Sequence, residues 1–160
     1  MAKKKAKKAP VPKKKSGGSA GIAKQKVTTF LWYESKAEEA ARFYVSLFKN
    51  SKVISVNPMT VTFSLDGQQF IALNGGPMFK FNESMSLFVD CKDQAEIDRL
   101  WNALTANGGQ ESQCGWLKDK YGLSWQIIPT FLPKLITTNP RAMQAMLKMK
   151  KIDIATLERA

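Results

Sequence analysis

Two stretches of this chain share one grammar, and no other feature narrows the fold as far. In the first, Ser35-x-x-Glu38 reads as a capping box. It opens a helix whose Ala40, Phe43, Tyr44, Leu47 and Phe48 recur at helical spacing as one apolar stripe. In the second, Asp93-x-x-Glu96 caps a helix with Ile97, Leu100, Trp101 and Leu104 on one face, and Asn107-Gly108-Gly109 ends it. Each helix follows one strand-like run and precedes three more, so both units read β-α-β-β-β. A four-stranded sheet with a single helix outside cannot cover its own second face, so the two units are expected to share one core. An internal repeat of this size is the first thing that decides an architecture.

The strands are read from β-branched and aromatic runs and from turn residues. Val27 to Tyr33 is the first, with Phe30 and Trp32 on one face and Thr29, Leu31 and Tyr33 on the other. Lys52 to Asn57 and Met59 to Leu65 flank Pro58, Asp66-Gly67 is a hairpin signal, and Gln68 to Asn74 returns. After a connection over residues 75–83, Met85 to Cys91 opens the second unit. Residues 113–129 close it as two strands around a polar turn, in which Gly122 supplies a positive φ and Asp119 can accept from backbone amides. Alternation places Leu123, Trp125 and Ile127 on one face of the last strand and Ser124, Gln126 and Ile128 on the other. Asn139-Pro140 caps a further helix carrying Met143, Met146 and Leu147, and Asp153 begins a last short one. Those methionines are expected to be packed rather than to form a binding surface.

From about residue 27 onward the chain resembles the PhnB-like branch of the vicinal oxygen chelate superfamily, which includes glyoxalase I, the bleomycin-resistance proteins and the extradiol dioxygenases. The resemblance is carried by Thr29-Phe-Leu-Trp-Tyr-Glu, Ala37-Glu-Glu-Ala-Ala-Arg-Phe-Tyr-Val-Ser-Leu-Phe, Phe70-Ile-Ala-Leu-Asn-Gly-Gly-Pro, Cys114-Gly-Trp-Leu-Lys-Asp and Met146-Leu-Lys-Met-Lys-Lys-Ile-Asp-Ile-Ala-Thr-Leu-Glu. It implies an α+β fold of paired βαβββ modules curling around a cleft, with a helical C-terminal extension, and a homodimer. Related sequences often carry the label of a demethylubiquinone methyltransferase. They also have a longer connection where this chain runs from Lys52 to Met59.

Charge divides the chain in two. Of 25 Lys and Arg residues, ten lysines lie in residues 1–26 without one acid, leaving 15 basic against 13 acidic residues in the remainder. The basicity therefore belongs to the tail and not to the fold. Rich in Lys, Ala, Pro, Gly and Ser, residues 1–26 are expected to be disordered, with 27–160 forming the folded domain. Lys3, Lys4, Lys5, Lys7, Lys8, Lys13, Lys14 and Lys15 make the tail a candidate polyanion-binding segment, with nucleic acid as its partner. Two cysteines give no disulfide framework, and no apolar run approaches the ~18 residues of a membrane span, so the expected setting is cytoplasmic, without a membrane partner.

Metal-dependent relatives hold their ion with His and Glu from both halves. The resemblance places Thr29, Ala72 or Asn74, Ser84 or a neighbour, and Gln126 at those positions, and the chain has no histidine. Neutral hydroxyls and amides offer little charge to a divalent ion, so no metal is expected. Gly75-Gly76 and Gly108-Gly109 are isolated pairs rather than a glycine-rich strand-to-helix loop, so no nucleotide or sulfonium cofactor is expected either. Cys114 lacks a histidine to activate it, and no catalytic residue is assigned. The reading that remains is a small-molecule-binding domain with a pocket drawn from Trp32, Asn74, Phe79, Trp116, Trp125 and Gln126. Its alternative is a non-enzymatic protein associated with nucleic acid through the tail.

Overall fold

The computed structural model describes residues 25–160, and the lysine-rich segment named above lies outside them apart from its last two residues. Among the described residues there are eight strands and five α-helices, and the strands with the first two helices follow the order expected from the repeat. The first module comprises β1 (Thr29–Tyr33), α1 (Ala37–Leu47), β2 (Lys52–Val56), β3 (Thr60–Leu65) and β4 (Gln68–Asn74). The second comprises β5 (Ser86–Cys91), α2 (Gln94–Thr105), β6 (Gln110–Glu111), β7 (Trp116–Lys118) and β8 (Ser124–Pro129). Each forms its own four-stranded sheet, ordered β1-β4-β3-β2 and β5-β8-β7-β6. In both, the first strand runs parallel to the last and the other pairings are antiparallel.

The helices cover one face of each sheet, and those faces merge. Leu31, Tyr33, Val61, Phe63, Phe70 and Ala72 pack under α1, while Cys91, Leu117, Trp125 and Ile127 pack with Ile97, Leu100, Trp101 and Leu104 of α2. All belong to one continuous apolar core. Phe48, just past α1, stacks on Trp125 of the second module at 6.0 Å between ring centroids. Burying a Leu or Phe side chain contributes about 1.5–3 kcal/mol. This shared core, rather than intrinsic propensity, keeps the 11-residue α1 helical, because isolated helices of that length are marginal in water.

Local chemistry departs from the sequence reading at several points. The Ser35 capping box does not form: the residue before α1 is Lys36, without a side-chain cap. Instead Asn74 Oδ1, arriving from the end of β4, accepts from the Ala37 N–H at 2.9 Å. A tertiary amide has taken the role expected of a local hydroxyl. At α2 the cap is as expected, since Asp93 Oδ1 accepts from the Glu96 N–H at 2.8 Å. The first strand begins at Thr29 rather than Val27. An unexpected helix, α3 (Leu132–Thr138), precedes α4 (Pro140–Met146) and α5 (Ile154–Glu158). These pack over Ile128 in a second cluster of Leu132, Met146, Ile152 and Leu157, with Met143 and Met149 against it, so the methionines are core.

Because the modules join through the faces covered by α1 and α2, the opposite faces are turned away from the shared core, and that of the second sheet is covered by α3 to α5 only at its Ile128 end. On the first, Phe30 pairs with Ile71 and Trp32 with Leu73 across the parallel β1–β4 ladder. On the second, Phe88 pairs with Gln126, which pairs in turn with Trp116. Phe30 is 53% exposed and Phe88 49%. β1 and β5 are also open sheet edges. The two modules thus share a core, and Ser86 and Phe88 of β5 also line a cavity of about 500 Å³ together with Thr29 and Phe70 of the first sheet.

Candidate functional site

Three neighbouring strands set the most distinctive polar group on an uncovered face. The β5-β8-β7 register places Phe88, Gln126 and Trp116 side by side, an amide between two aromatic side chains. Gln126 Nε2 donates to Ser86 Oγ at 2.8 Å, also on this face. Its Oε1 has no hydrogen-bond donor among the described residues. The arrangement offers two aromatic side chains flanking one acceptor, on a face that also carries Ser86, Asp90 and Lys118, and Gln126 is oriented by Ser86 rather than left to rotate.

Directly beneath, on the core side of β8, lies a buried carboxylate. Asp119, 2% exposed, takes four donors. Its Oδ1 accepts from the N–H groups of Tyr121 (2.8 Å) and Leu123 (3.1 Å), the turn role expected from sequence. Its Oδ2 accepts from Trp125 Nε1 (2.8 Å) and from the Tyr44 hydroxyl (2.7 Å) of the first module. Tyr33 O–H donates in turn to Tyr44 at 3.2 Å. Burial pushes the Asp119 carboxyl up from its ordinary value, and these donors pull against that. Burial likewise raises both tyrosine hydroxyls, with Asp119 and the neighbouring phenol adding to the effect on Tyr44. The network clamps one module to the other, with the Asp119 carboxylate itself sealed in the core.

The six expected pocket residues therefore separate. Gln126 and Trp116 are neighbours on the uncovered face of the second sheet. Trp125, their neighbour in sequence, points into the core and is held by Asp119 and Phe48. Asn74 caps α1. Trp32 and Phe79 meet edge to face, 5.0 Å apart, at the far end of the first sheet. Phe88 and Ser86 were missed. Their alternation with Leu87 and Val89 marks which residues share a face, but only the β5–β8 register brings them to Gln126.

Trp32 and Phe79 border a cavity of about 350 Å³ where β1, the start of α1, the linker and the β7–β8 turn converge. Tyr33, Phe81 and Tyr121 add aromatic wall, and Lys36, Lys80, Lys120 and Glu34 stand around it. Trp32 is fixed by Nε1 donating to Gly76 O at 2.9 Å. A Cβ at Gly75 would lie 2.3–2.6 Å from its indole ring, so Gly75 serves close packing against Trp32, whereas Gly76 has open space and a φ of +85°.

The residues at the expected metal positions do not fit an ion. Thr29 lies on the helix-covered face of the first sheet, in register with Phe70, and Ala72 is in the core. Asn74 is engaged at α1, Ser84 bonds Asn82 in the linker, and Gln126 is on a different sheet, with Ser86. Among the described residues no three His, Cys, Asp or Glu side chains are grouped as metal ligands would be. Both cysteines are free, and burial pushes the Cys91 thiol up to about 12.

Two βαβββ modules, each a mixed four-stranded sheet with one helix on one face, define a domain of the vicinal oxygen chelate class. A comparison with solved structures agrees: the PhnB protein of Bacillus cereus is 37% identical, with a TM-score of 0.60 over 64% of this chain and 97% of its own. A Pseudomonas aeruginosa protein at 19% identity shares the fold, with a TM-score of 0.51 over 63% of this chain and 94% of its own. A glyoxalase-related enzyme from Fulvimarina pelagi is 17% identical, with a TM-score of 0.45 over 63% of this chain and 86% of its own. The family model described as 3-demethylubiquinone-9 3-methyltransferase matches residues 25–128, and the chain belongs to that family, as a PhnB-like member. A comparison with the curated proteins found no match.

Proposed function

We propose that the folded domain, residues 27–160, is a metal-free small-molecule-binding module whose ligand lies on the uncovered face around Gln126. The observation that carries this reading is the Phe88–Gln126–Trp116 row, with its one oriented amide and unused acceptor. Apolar walls with sparse, fixed polar groups are what ligand sites require. The methyltransferase name is that of the family model and is not assigned to this chain as an activity.

An outward apolar face is costly to leave in water, and a second copy of the chain is the occupant this reading favours. Phe30 on the open edge β1 and Phe88 on the open edge β5 are each about half exposed, on faces of matching architecture. Pairing β1 of one copy with β5 of another would continue both sheets and enclose Gln126. Sedimentation should then give a dimer that Phe88→Glu dissociates; a monomeric parent protein would refute the pairing. For the ligand, a thermal-shift screen of metabolites compares the parent with Gln126→Ala. A ligand at one hundred times its Kd stabilises by about 2.7 kcal/mol. Hits that survive Gln126→Ala unchanged would overturn the site.

A second reading is favoured by the charge distribution. Ten lysines without an acid in residues 1–26 make the tail a polyanion-binding segment, acting in a cytoplasmic, membrane-free setting. If about five contact phosphate together, log affinity for duplex DNA falls against log salt with a slope of about −4.5. A chain starting at Val27 should lose that binding, and retention of it would place the surface on the fold. Among the described residues no helix is long and apolar enough to cross a membrane.

A further inference from the structure

The cavity at the junction of the two modules is separate from the Gln126 face, and its lining has its own chemistry. At about 350 Å³ it lies in the size range of small-molecule sites, roughly 300–1,000 Å³. Trp32 and Phe79 form one wall in edge-to-face contact, and Tyr121 stands on the opposite element, the β7–β8 turn. Flat walls of this kind select a planar apolar group, because aromatic pairs contribute beyond their buried area.

Charge around the cavity decides what that planar group must carry. Three lysines, Lys36, Lys80 and Lys120, come from three different elements and meet here. Lys80 pairs with Glu34 at 2.8 Å, while Lys120 (3.2 Å) and Lys36 (3.7 Å) both reach Glu39. Two carboxylates therefore serve three ammonium groups. Lys120 is held in place over the Tyr121 ring, 4.9 Å from its centroid, whereas Lys36 and Lys80 are mostly exposed at the rim. Exposed pairs of this kind are worth little, so an incoming anion can exchange with Glu34 at small cost. A cation would meet the unbalanced positive charge, and a neutral ring would leave it unused.

We infer that this cavity binds a small aromatic carboxylate, with its ring between Trp32, Phe79 and Tyr121 and its carboxylate at Lys36 and Lys80. The inference does not rest on the Gln126 site and stands or falls separately. Its place in the molecule is also distinctive, since a ligand there touches β1 and the linker of the first module and the turn of the second.

Isothermal titration of the full chain with 2-naphthoate and with 2-naphthylmethanol tests it. The acid should bind at least about fivefold more tightly than the alcohol, in keeping with two weak ion pairs. Phe79→Ala, at a side chain 56% exposed and so dispensable for folding, should weaken naphthoate binding about fivefold or more. Lys80→Gln should weaken it about two- to fivefold. Lys134→Gln, an exposed lysine on α3, should leave it unchanged and reports on non-specific attraction to lysines. Preference for the acid together with weakening in both cavity variants supports the site. Any other pattern, including equal binding of acid and alcohol or an equal loss in Lys134→Gln, overturns it.

Discussion

Replacing Asp119 by Asn tests whether the buried carboxylate is what joins the modules. An asparagine keeps one oxygen, which can still accept from the Tyr121 and Leu123 amides. Its amide nitrogen then faces Trp125 Nε1, a donor that cannot accept, and leaves it buried without a partner. Such an orphan costs about 1–3 kcal/mol. The Tyr44 hydroxyl can rotate to accept instead, but hydrogen bonds to a charged group, worth about 1.5–3 kcal/mol, become neutral ones worth about 0.5–1.5. The expected loss for Asp119→Asn is therefore about 2–4 kcal/mol. Asp119→Ala strands all four donors and should cost about 4–12 kcal/mol, against a total stability of about 5–15, so little folded protein should accumulate. Urea denaturation measures the first, and the double variant with Tyr44→Phe should lose less than the sum of the singles, because both act on one network. An Asp119→Asn midpoint equivalent to less than about 0.5 kcal/mol from the parent would refute the account.

Three further outcomes follow from single contacts. Gly75→Ala places a methyl group inside the Trp32 ring contact and should cost about 1–3 kcal/mol in urea while leaving the fold in place. Asp93→Ala should lower stability at neutral pH: the Glu96 amide and Lys92 hold the Asp93 carboxyl below its usual range, so its contribution is present above the unfolded carboxyl pKa and lost as pH falls through the folded one. The difference between parent and variant in thermal melts should vanish in strong acid. Cys91, with its thiol pushed up to about 12 by burial, should react with an aromatic disulfide at pH 8 only after unfolding, whereas the half-buried Cys114 should react first.

Most of the fold was legible because the signals were local. Hairpin residues Asp66-Gly67 and Asp119 to Gly122 mark their turns, the Asp93 cap and the α2 stripe sit where the spacing puts them, and α1 buries Ala40 and Tyr44 of its expected stripe together with Ala37 and Ala41, with Phe48 just past its end. The failures share a cause, which is a partner distant in sequence. The Ser35 capping box was displaced by Asn74, an amide brought from another strand. The candidate pocket was read from the cleft that the family resemblance implies and from residue type, neither of which says which face of which sheet a side chain occupies relative to the other module. Trp125 and Gln126 are adjacent in sequence, yet one is sealed in the core and the other presents an amide to the outer face. Alternation told them apart. What it could not tell is that the modules would join through their helix-covered faces, which decides that Gln126, rather than Trp125, is the accessible one.

The Tyr44–Asp119 hydrogen bond spans 75 positions of the chain, which gives it a meaning during synthesis. At about 5–20 residues per second, the ribosome needs about 4–15 s to make the distance from Tyr44 to Asp119. For that interval the nascent first module has β1 to β4 available but no acceptor for its Tyr44 hydroxyl and no Trp125 under Phe48. It emerges as a half-closed unit, its helix-covered side still without the second module. The order of events on the ribosome is thereby set by one carboxylate near the end of the second module, and the first module should remain open to chaperones and proteases until that residue arrives.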